Sequence, residues 1–441
     1  MKIVVPALEI SKEEGFSVEK DIFKRKDFGE RLAKLFENSK DELVVGLDAP
    51  WGEGKSTFIK MWKGYAEYER EKKFKTIYFD AFANDYQKDP FLALASELYE
   101  LVEDEGEPKK KNFKEKASKA IKSLTRGALK IGVRAASGGL FDGSVIDSVE
   151  AEASELVSKQ VDNIVGDIFD NSKEDKKSLE NFRKYLEQMA IEEGGGQPII
   201  FIIDELDRCR PDFALELIEQ MKHIFSVKGI TFLLVLNRKQ LEASVKSRYG
   251  NDIDSTLYLQ KFVKLWLSLP RSSEEHNDNG EKYLKFAFES MREEEEFENS
   301  HILPTLVQFI KLKKLSYRTI EQILTYFAII HNMSSGKKYD DYQIVIAFIC
   351  YLKVVQVDVF EKIVNNTITF SELIEKTNLD KINDEYHLIE FLITRIKFDL
   401  GDEVEKKSMI ANKEYKSDYN RYRGSNILNN VAQILNTLES R

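Results

Sequence analysis

Residues 49–57 read Ala49-Pro50-Trp51-Gly52-Glu53-Gly54-Lys55-Ser56-Thr57 and follow the apolar run Leu43-Val44-Val45-Gly46-Leu47. This stretch matches the phosphate-binding pattern Gly-x-x-x-x-Gly-Lys-[Ser/Thr], with Ala49 at the position of the first glycine. Gly52 and Gly54 allow backbone N–H groups to turn toward phosphate oxygens, and the helix that begins near Lys55 points its positive end at the same place. The preceding strand and the following helix favour this P-loop interpretation over a Gly-rich turn with no ligand.

The P-loop pattern predicts a nucleoside triphosphate and Mg²⁺ as ligands. Lys55 is expected to bridge the β- and γ-phosphates, and Ser56 to ligate the magnesium ion. The predicted nucleotide contacts are Pro50, Trp51, Gly52, Glu53, Gly54, Lys55, Ser56, Thr57 and Asn237.

A second motif lies at the end of the apolar run Pro198–Ile203, where Asp204 and Glu205 follow directly. A carboxylate at the tip of a buried strand beside a P-loop is typical of a Walker B element. Asp204 is therefore expected to hold Mg²⁺ and Glu205 to orient and activate the attacking water. Two ordinary helix N-cap carboxylates would give the same local pattern, but the P-loop favours the catalytic interpretation.

The base-selecting Asn-Lys-x-Asp pattern of GTPases is missing from the sequence. Its nearest approach is Asn237-Arg238-Lys239-Gln240, in which Gln240 occupies the position where an aspartate would read guanine. This difference favours ATP.

Short runs that are apolar throughout alternate with helical patterns, which indicates a parallel sheet covered on both faces. Strands are predicted near 43–47, 76–80, 198–203 and 230–236. The predicted class is α/β: a parallel P-loop NTPase sheet flanked by helices, with a helical insertion and a helical C-terminal domain. We expect the NTPase core in 1–102 and 197–270, a mostly helical basic insertion in 103–196, and the C-terminal domain in 271–441.

Composition excludes several classes of protein. The 441 residues carry a formal net charge of -10, so the whole chain is not a polycation. Two distant cysteines, Cys209 and Cys350, cannot build a disulfide framework and indicate a reducing compartment. No apolar run reaches the roughly 20 residues of a membrane-spanning helix. The expected location is the cytoplasm, with no transmembrane segment.

The insertion contains a basic stretch from Lys109 to Arg134 with a moderate apolar stripe. Three interpretations remain open: contact with a nucleic-acid backbone, contact with an anionic membrane surface, or a solvated linker helix.

Both motifs, taken with their flanks, resemble the KAP family of P-loop NTPases. The resemblance rests on Pro50-Trp51-Gly52-Glu53-Gly54-Lys55-Ser56 and on Ile203-Asp204-Glu205-Leu206-Asp207-Arg208-Cys209. Looser matches are Phe79–Phe82, Tyr258–Phe262 followed by Leu269-Pro270, and Ser316–Glu321. It covers roughly residues 20–330 and implies an NTPase with an extra strand between the P-loop and Walker B strands. Many members carry transmembrane helices where this chain has its basic insertion.

The resemblance also suggests catalytic residues beyond Lys55 and Glu205. Arg208 could pair with Asp207 or serve the ATP of a neighbouring subunit, and Lys261 and Arg318 are candidate sensors of the γ-phosphate. The leading hypothesis is an ATP-hydrolysing switch or motor in anti-phage defence that self-associates or acts with a separately encoded effector protein. The alternatives are a nucleotide-dependent binding module with negligible turnover and a DNA-associated ATPase.

Overall fold

The computed structural model describes residues 1–39, 42–87, 89–103, 106–136, 154–270, 279–292, 301–333, 340–382, 387–415 and 426–437. Of the insertion, the side chains of 125–136 and 154–172 lie outside this description, as do all of residues 137–153.

The described residues form a five-stranded sheet in the order β2-β3-β4-β1-β5, and each neighbouring pair is parallel. The strands are β1 Val44–Asp48, β2 Thr76–Asp80, β3 Ile199–Asp204, β4 Ile230–Leu236 and β5 Leu265–Ser268. The predicted parallel α/β sheet is confirmed. β4 separates the P-loop strand β1 from the Walker B strand β3, as the family resemblance implied.

Helices cover the sheet, form the insertion and build the C-terminal part. In chain order they are α1 Lys26–Asn38, α2 Lys55–Gly64, α3 Ala81–Asn84, α4 Pro90–Glu103, α5 Glu107–Ala136, α6 Ser154–Glu193, α7 Pro211–Gln220, α8 Arg238–Tyr249, α9 Ser255–Gln260, α10 Asn279–Met291, α11 Ile302–Lys313, α12 Tyr317–Met333, α13 Asp340–Val355, α14 Val357–Val364, α15 Phe370–Thr377, α16 Leu388–Leu400, α17 Glu403–Ala411 and α18 Ile427–Asn436. Wider π-helical turns extend α2 over Tyr65–Glu69 and α7 over Met221–Phe225.

Successive side chains of a strand point to opposite faces of a sheet. The residues of each central strand therefore pack alternately into the hydrophobic cores on its two faces. Val45 and Ile202 pack with Trp62 of α2, whereas Phe201 and Phe232 pack with the helices on the other face. Burial on both faces explains why these strands are apolar throughout.

The fifth strand was not predicted. β5 is four residues long and none of its residues is fully buried, so it lacks the continuous apolar run of a central strand. Its Trp266 lies against Gly46, where an added Cβ would come within 2.4 Å of the indole ring. Glycine in β1 therefore makes room for this edge strand.

The insertion is a pair of antiparallel helices, α5 and α6. Its base is closed by Phe113 of α5 against Phe182 and Tyr185 of α6. Several lysines of α5 have partners within this region: Lys109 pairs with Glu193, and Lys114 lies over the ring of Tyr99. The side chains of Arg126, Lys130 and Arg134 lie outside the described residues, and the three interpretations of the basic stretch stay predictions.

The C-terminal part, from α10 onward, is helical in its described residues and has a hydrophobic core of its own. Across the described part of the chain, no helix is both long enough and apolar enough to cross a membrane.

Candidate functional site

The P-loop leaves the carboxyl end of β1 and enters α2. Gly52 and Gly54 have φ angles of 79° and 73°, in the left-handed region where glycine is favoured. Gly54 is the N-cap of α2, so the first turn of the helix opens directly onto the loop. Anions bind at such positions because the unpaired N–H groups and the helix dipole both point at them.

The ammonium group of Lys55 is held over the loop itself. Its Nζ donates to the carbonyl oxygen of Ala49 at 2.6 Å and to that of Pro50 at 3.1 Å. Burial lowers the pKa of Lys55, while the charges of Asp207 and Asp204 oppose this effect. The site thus combines a buried cation with nearby carboxylates.

The Walker B aspartate lies at the tip of β3, and its side chain is surrounded by donors. Asp204 is 1% exposed. Its Oδ2 accepts from the hydroxyl of Tyr78 at 2.9 Å, and its Oδ1 accepts from the backbone N–H of Glu205 at 2.8 Å. Burial raises the pKa of Asp204, and hydrogen bonds from Ser56 and Tyr78 oppose that rise.

Ser56 and Asp204 are therefore in contact although they come from separate parts of the chain. A hydroxyl and a carboxylate are hard oxygen donors, which fit the preference of Mg²⁺ for a few protein oxygens beside substrate phosphates. The role of Ser56 and Asp204 as magnesium ligands stays a prediction.

Glu205 follows in an uncommon backbone conformation, with φ 59° and ψ 23°. Its Oε1 lies 2.7 Å from Nη1 of Arg208. Burial raises the pKa of Glu205, and the Arg208 guanidinium opposes the rise. Non-glycine residues in this region are often found where a functional site fixes the backbone.

Trp51 does not turn its indole nitrogen toward the P-loop backbone. Its Nε1 donates to Oδ2 of Asp207, in the turn Leu206–Arg208 after β3. Asp207 therefore bonds the P-loop rather than forming the pair with Arg208 that the sequence suggested. No sequence motif predicts this contact between residues that are far apart in the chain.

Arg318 is brought to the P-loop by the C-terminal part. It is the second residue of α12, and an added Cβ on Gly52 would lie 3.2 Å from the Cβ of Arg318. Arg318 also lines the cavity beside Lys55. The structure thus joins this residue to the predicted phosphate site.

A cavity of about 490 Å³ extends from the P-loop between the N-terminal segment and α12. Its aromatic side is formed by Phe23, Tyr283 and Tyr317, with ring centroids 4.7 Å apart for Phe23–Tyr317 and 4.6 Å for Tyr283–Tyr317. Val5, Pro6, Ala7 and Leu8 line it as well. Sequence analysis missed these residues because no motif marks them.

Arg25 lies where this cavity meets the P-loop, and it is 3% exposed. Its guanidinium donates to the carbonyl oxygens of Glu53 at 3.0 Å and Pro270 at 3.2 Å. It therefore ties the N-terminal segment to the loop and to the end of the NTPase sheet.

Asn237 and Lys261, the two remaining predicted site residues, lie at opposite ends of the strands. Asn237 follows β4 beside β1, and its side chain accepts from the N–H of Lys239 as the N-cap of α8. Lys261 precedes β5, and the backbone N–H of the nearby Lys264 bonds the carbonyl oxygen of Val44, at the start of β1. Lys261 thus lies toward the amino edge of the sheet, away from the P-loop at the carboxyl edge. The sensor role of Lys261 stays a prediction, and this position does not favour it.

Comparison with known proteins places these features in a family. The model of the KAP family P-loop domain matches residues 25–334. Two solved structures that match are the Aeropyrum pernix ORC2 protein in ADPNP-ADP complexes, with 12% identity and a TM-score of 0.38, and its ADP form, with 11% and 0.36. The first alignment covers 98% of this chain and 97% of that one, and the second covers 97% of each. No curated protein matches.

Proposed function

The chain belongs to the KAP family of P-loop domain proteins, and on that premise we propose that it binds Mg²⁺-ATP and hydrolyses its terminal phosphoanhydride bond. One observation carries the proposal: Lys55, Ser56 and Glu205 line one cavity at the carboxyl ends of the strands, and Asp204 bonds Ser56 there. Ligands of open α/β sheets bind at this edge.

Each residue has a task that its surroundings support. The N–H groups of the loop and the ammonium of Lys55 bind the β- and γ-phosphates, and Arg318 reaches them from α12. Ser56 and Asp204 hold magnesium, which supplies neutralising charge to the phosphate oxygens when it is bound. Glu205 orients the attacking water and accepts its proton, a role suited to a carboxylate whose pKa is raised by burial.

ATP is the proposed nucleotide because Gln240 replaces the aspartate that reads guanine in GTPases. The adenine is proposed to occupy the cavity next to Phe23 and Tyr317, because planar bases stack on aromatic rings. The cavity includes residues of both the NTPase core and α12, so nucleotide binding there would connect the two parts.

This connection supports a switch function. Arg318 contacts the P-loop glycine from a helix of the C-terminal core, so a change at the γ-phosphate is transmitted to that core. We propose, from the family resemblance, that the switch acts in the cytoplasm on a separately encoded effector in anti-phage defence. Phage plating on cells that carry the wild-type or the Lys55→Ala gene beside its neighbouring genes tests this role, and equal plating would reject it.

The primary experiment is steady-state phosphate release from Mg²⁺-ATP, with nucleotide affinity measured in parallel. The wild type should turn over, Lys55→Ala should not bind, and Glu205→Gln should bind without turnover. Lys63→Ala is the matched control because Lys63 lies on the same helix and pairs with Glu67 instead of facing the loop. Equal binding by all four proteins with no hydrolysis would reject the ATPase assignment and leave a nucleotide-dependent binding module.

A further inference from the structure

The side chain of Arg208 lies near two anions in the proposed site: the carboxylate of Glu205 and the γ-phosphate of a bound nucleotide. It pairs with Glu205, with Nη1 2.7 Å from Oε1, and it lines the cavity together with Lys55 and Ser56. Arg208 is thus placed between the carboxylate proposed to activate water and the lysine proposed to bind the γ-phosphate.

A carboxylate oxygen that already accepts from a guanidinium has that position occupied, so an attacking water cannot donate to it there. A phosphate competes well for that guanidinium, since planar fork-like donors bind phosphate and carboxylate oxygens in the same bidentate manner. A phosphate bound in this bidentate manner through Nη1 takes the N–H group by which Arg208 holds Glu205. Occupation of the γ-phosphate position therefore weakens the hold of Arg208 on Glu205.

The backbone of the turn is held while the Arg208 side chain can move. The N–H of Arg208 donates to the carbonyl oxygen of Glu205 at 3.1 Å, and Trp51 holds Asp207 from the P-loop. The Arg208 side chain is 32% exposed and lies at the wall of the cavity, so its neighbours enclose it only in part. A change of partner therefore needs only side-chain torsions.

We propose that Arg208 is a gate that pairs with Glu205 until a γ-phosphate takes its guanidinium and frees Glu205 to activate water. This inference rests on the proposed function and adds to it a means of limiting hydrolysis to the correctly bound triphosphate. It also assigns Arg208 to the nucleotide of its own chain.

The test measures the affinities for Mg²⁺-ADP and for the non-hydrolysable triphosphate analogue Mg²⁺-AMP-PNP. Arg208→Gln should weaken AMP-PNP binding by about tenfold, the effect of losing one hydrogen bond between charged groups, and should leave ADP affinity nearly unchanged. Arg210→Gln is the matched control, because Arg210 lies two residues further along the chain, at the N-cap of α7, and pairs with Asp85. It should change neither affinity.

A double-mutant comparison separates a gate from a fixed structural pair. Glu205→Gln removes the competing carboxylate, so it should tighten AMP-PNP binding severalfold when Arg208 is present and not in the Arg208→Gln background. An unchanged AMP-PNP to ADP ratio in Arg208→Gln would overturn the gate alone, with nucleotide binding intact. A wild type that binds neither nucleotide would overturn the proposed function, and the gate with it.

Discussion

The indole N–H of Trp51 donates a hydrogen bond to Oδ2 of Asp207, which joins the P-loop to the turn that carries Glu205 and Arg208. The two residues lie in the two motifs on which the nucleotide-binding prediction was based. Their contact means that the phosphate-binding loop and the water-activating residue are not positioned independently.

Trp51→Phe keeps an aromatic ring but removes the only donor that bonds Asp207 from the P-loop side in the described contacts. Because this bond ends on a carboxylate, we expect its loss to cost about 1.5–3 kcal/mol in the free energy of unfolding. Denaturant unfolding of Trp51→Phe, Asp207→Asn and the double variant measures the coupling between them. Strictly additive effects would show that the bond contributes nothing to stability.

Asp204→Asn should stabilise the nucleotide-free protein at pH 7 while abolishing the extra stability conferred by Mg²⁺-nucleotide. Burial raises the pKa of Asp204 above its unfolded value. The stability this group contributes is therefore complete below the unfolded pKa and is lost as pH rises through the folded pKa. At pH 7 the charge of the buried carboxylate lowers the free energy of unfolding, so removing that charge should raise the unfolding temperature.

Thermal unfolding between pH 4 and pH 8 provides the check. The difference in unfolding temperature between Asp204→Asn and the wild type should become smaller as pH falls, because the wild-type carboxyl becomes protonated. Asp212→Asn serves as the exposed control and should show no such gain. A variant less stable than the wild type at pH 7 would mean that the bonds from Tyr78 and Ser56 outweigh the cost of burial.

Gly52→Ala should destabilise the protein and also weaken nucleotide binding. Its positive φ costs a side chain about 1 kcal/mol, and the new Cβ would press on Arg318. Gly195→Ala is the matched control, because Gly195 also has a positive φ, +58°, but nothing lies within 4 Å of its added Cβ. Calorimetric titration with Mg²⁺-ATP should show weaker binding for Gly52→Ala only; equal affinities in both variants would contradict the P-loop assignment of this glycine.

Phe23→Ala should weaken ATP binding about tenfold and inorganic triphosphate binding less, because it removes a stacking surface for the base and, beneath Arg25, part of the support of the P-loop. Tyr317→Phe preserves the neighbouring ring and should retain near wild-type affinity. Competition titrations with ATP and with triphosphate distinguish the two parts of the ligand. If both ligands lose affinity equally, Phe23 supports the loop and does not contact the base.

Much of the fold followed from local patterns. The runs near 43–47, 76–80, 198–203 and 230–236 appear as β1 to β4 within one residue, because strands buried on both faces must be apolar throughout. β5 escaped notice because it is short and only partly buried, so its residues show neither a continuous apolar run nor a clear alternation.

Some residues of the candidate site could likewise be predicted from the sequence, and others could not. Gly52, Gly54 and Lys55 were recognisable from the sequence because a phosphate-binding turn needs these residue types at set spacings in one short segment. Arg318 was a suggestion from resemblance, and its approach to Gly52 became visible only once the C-terminal helices were packed on the core.

By itself, the sequence determined the P-loop pattern, the carboxylate pair that follows β3 and the parallel α/β class, since each depends on neighbours along the chain. Only the tertiary structure decided that Trp51 bonds Asp207 and that Tyr78 bonds Asp204. It also decided that Lys261 lies toward the amino ends of the strands. These relationships depend on strand order and on the packing of distant segments. Local periodicity and motif spacing do not contain that information, because they describe residues only a few positions apart.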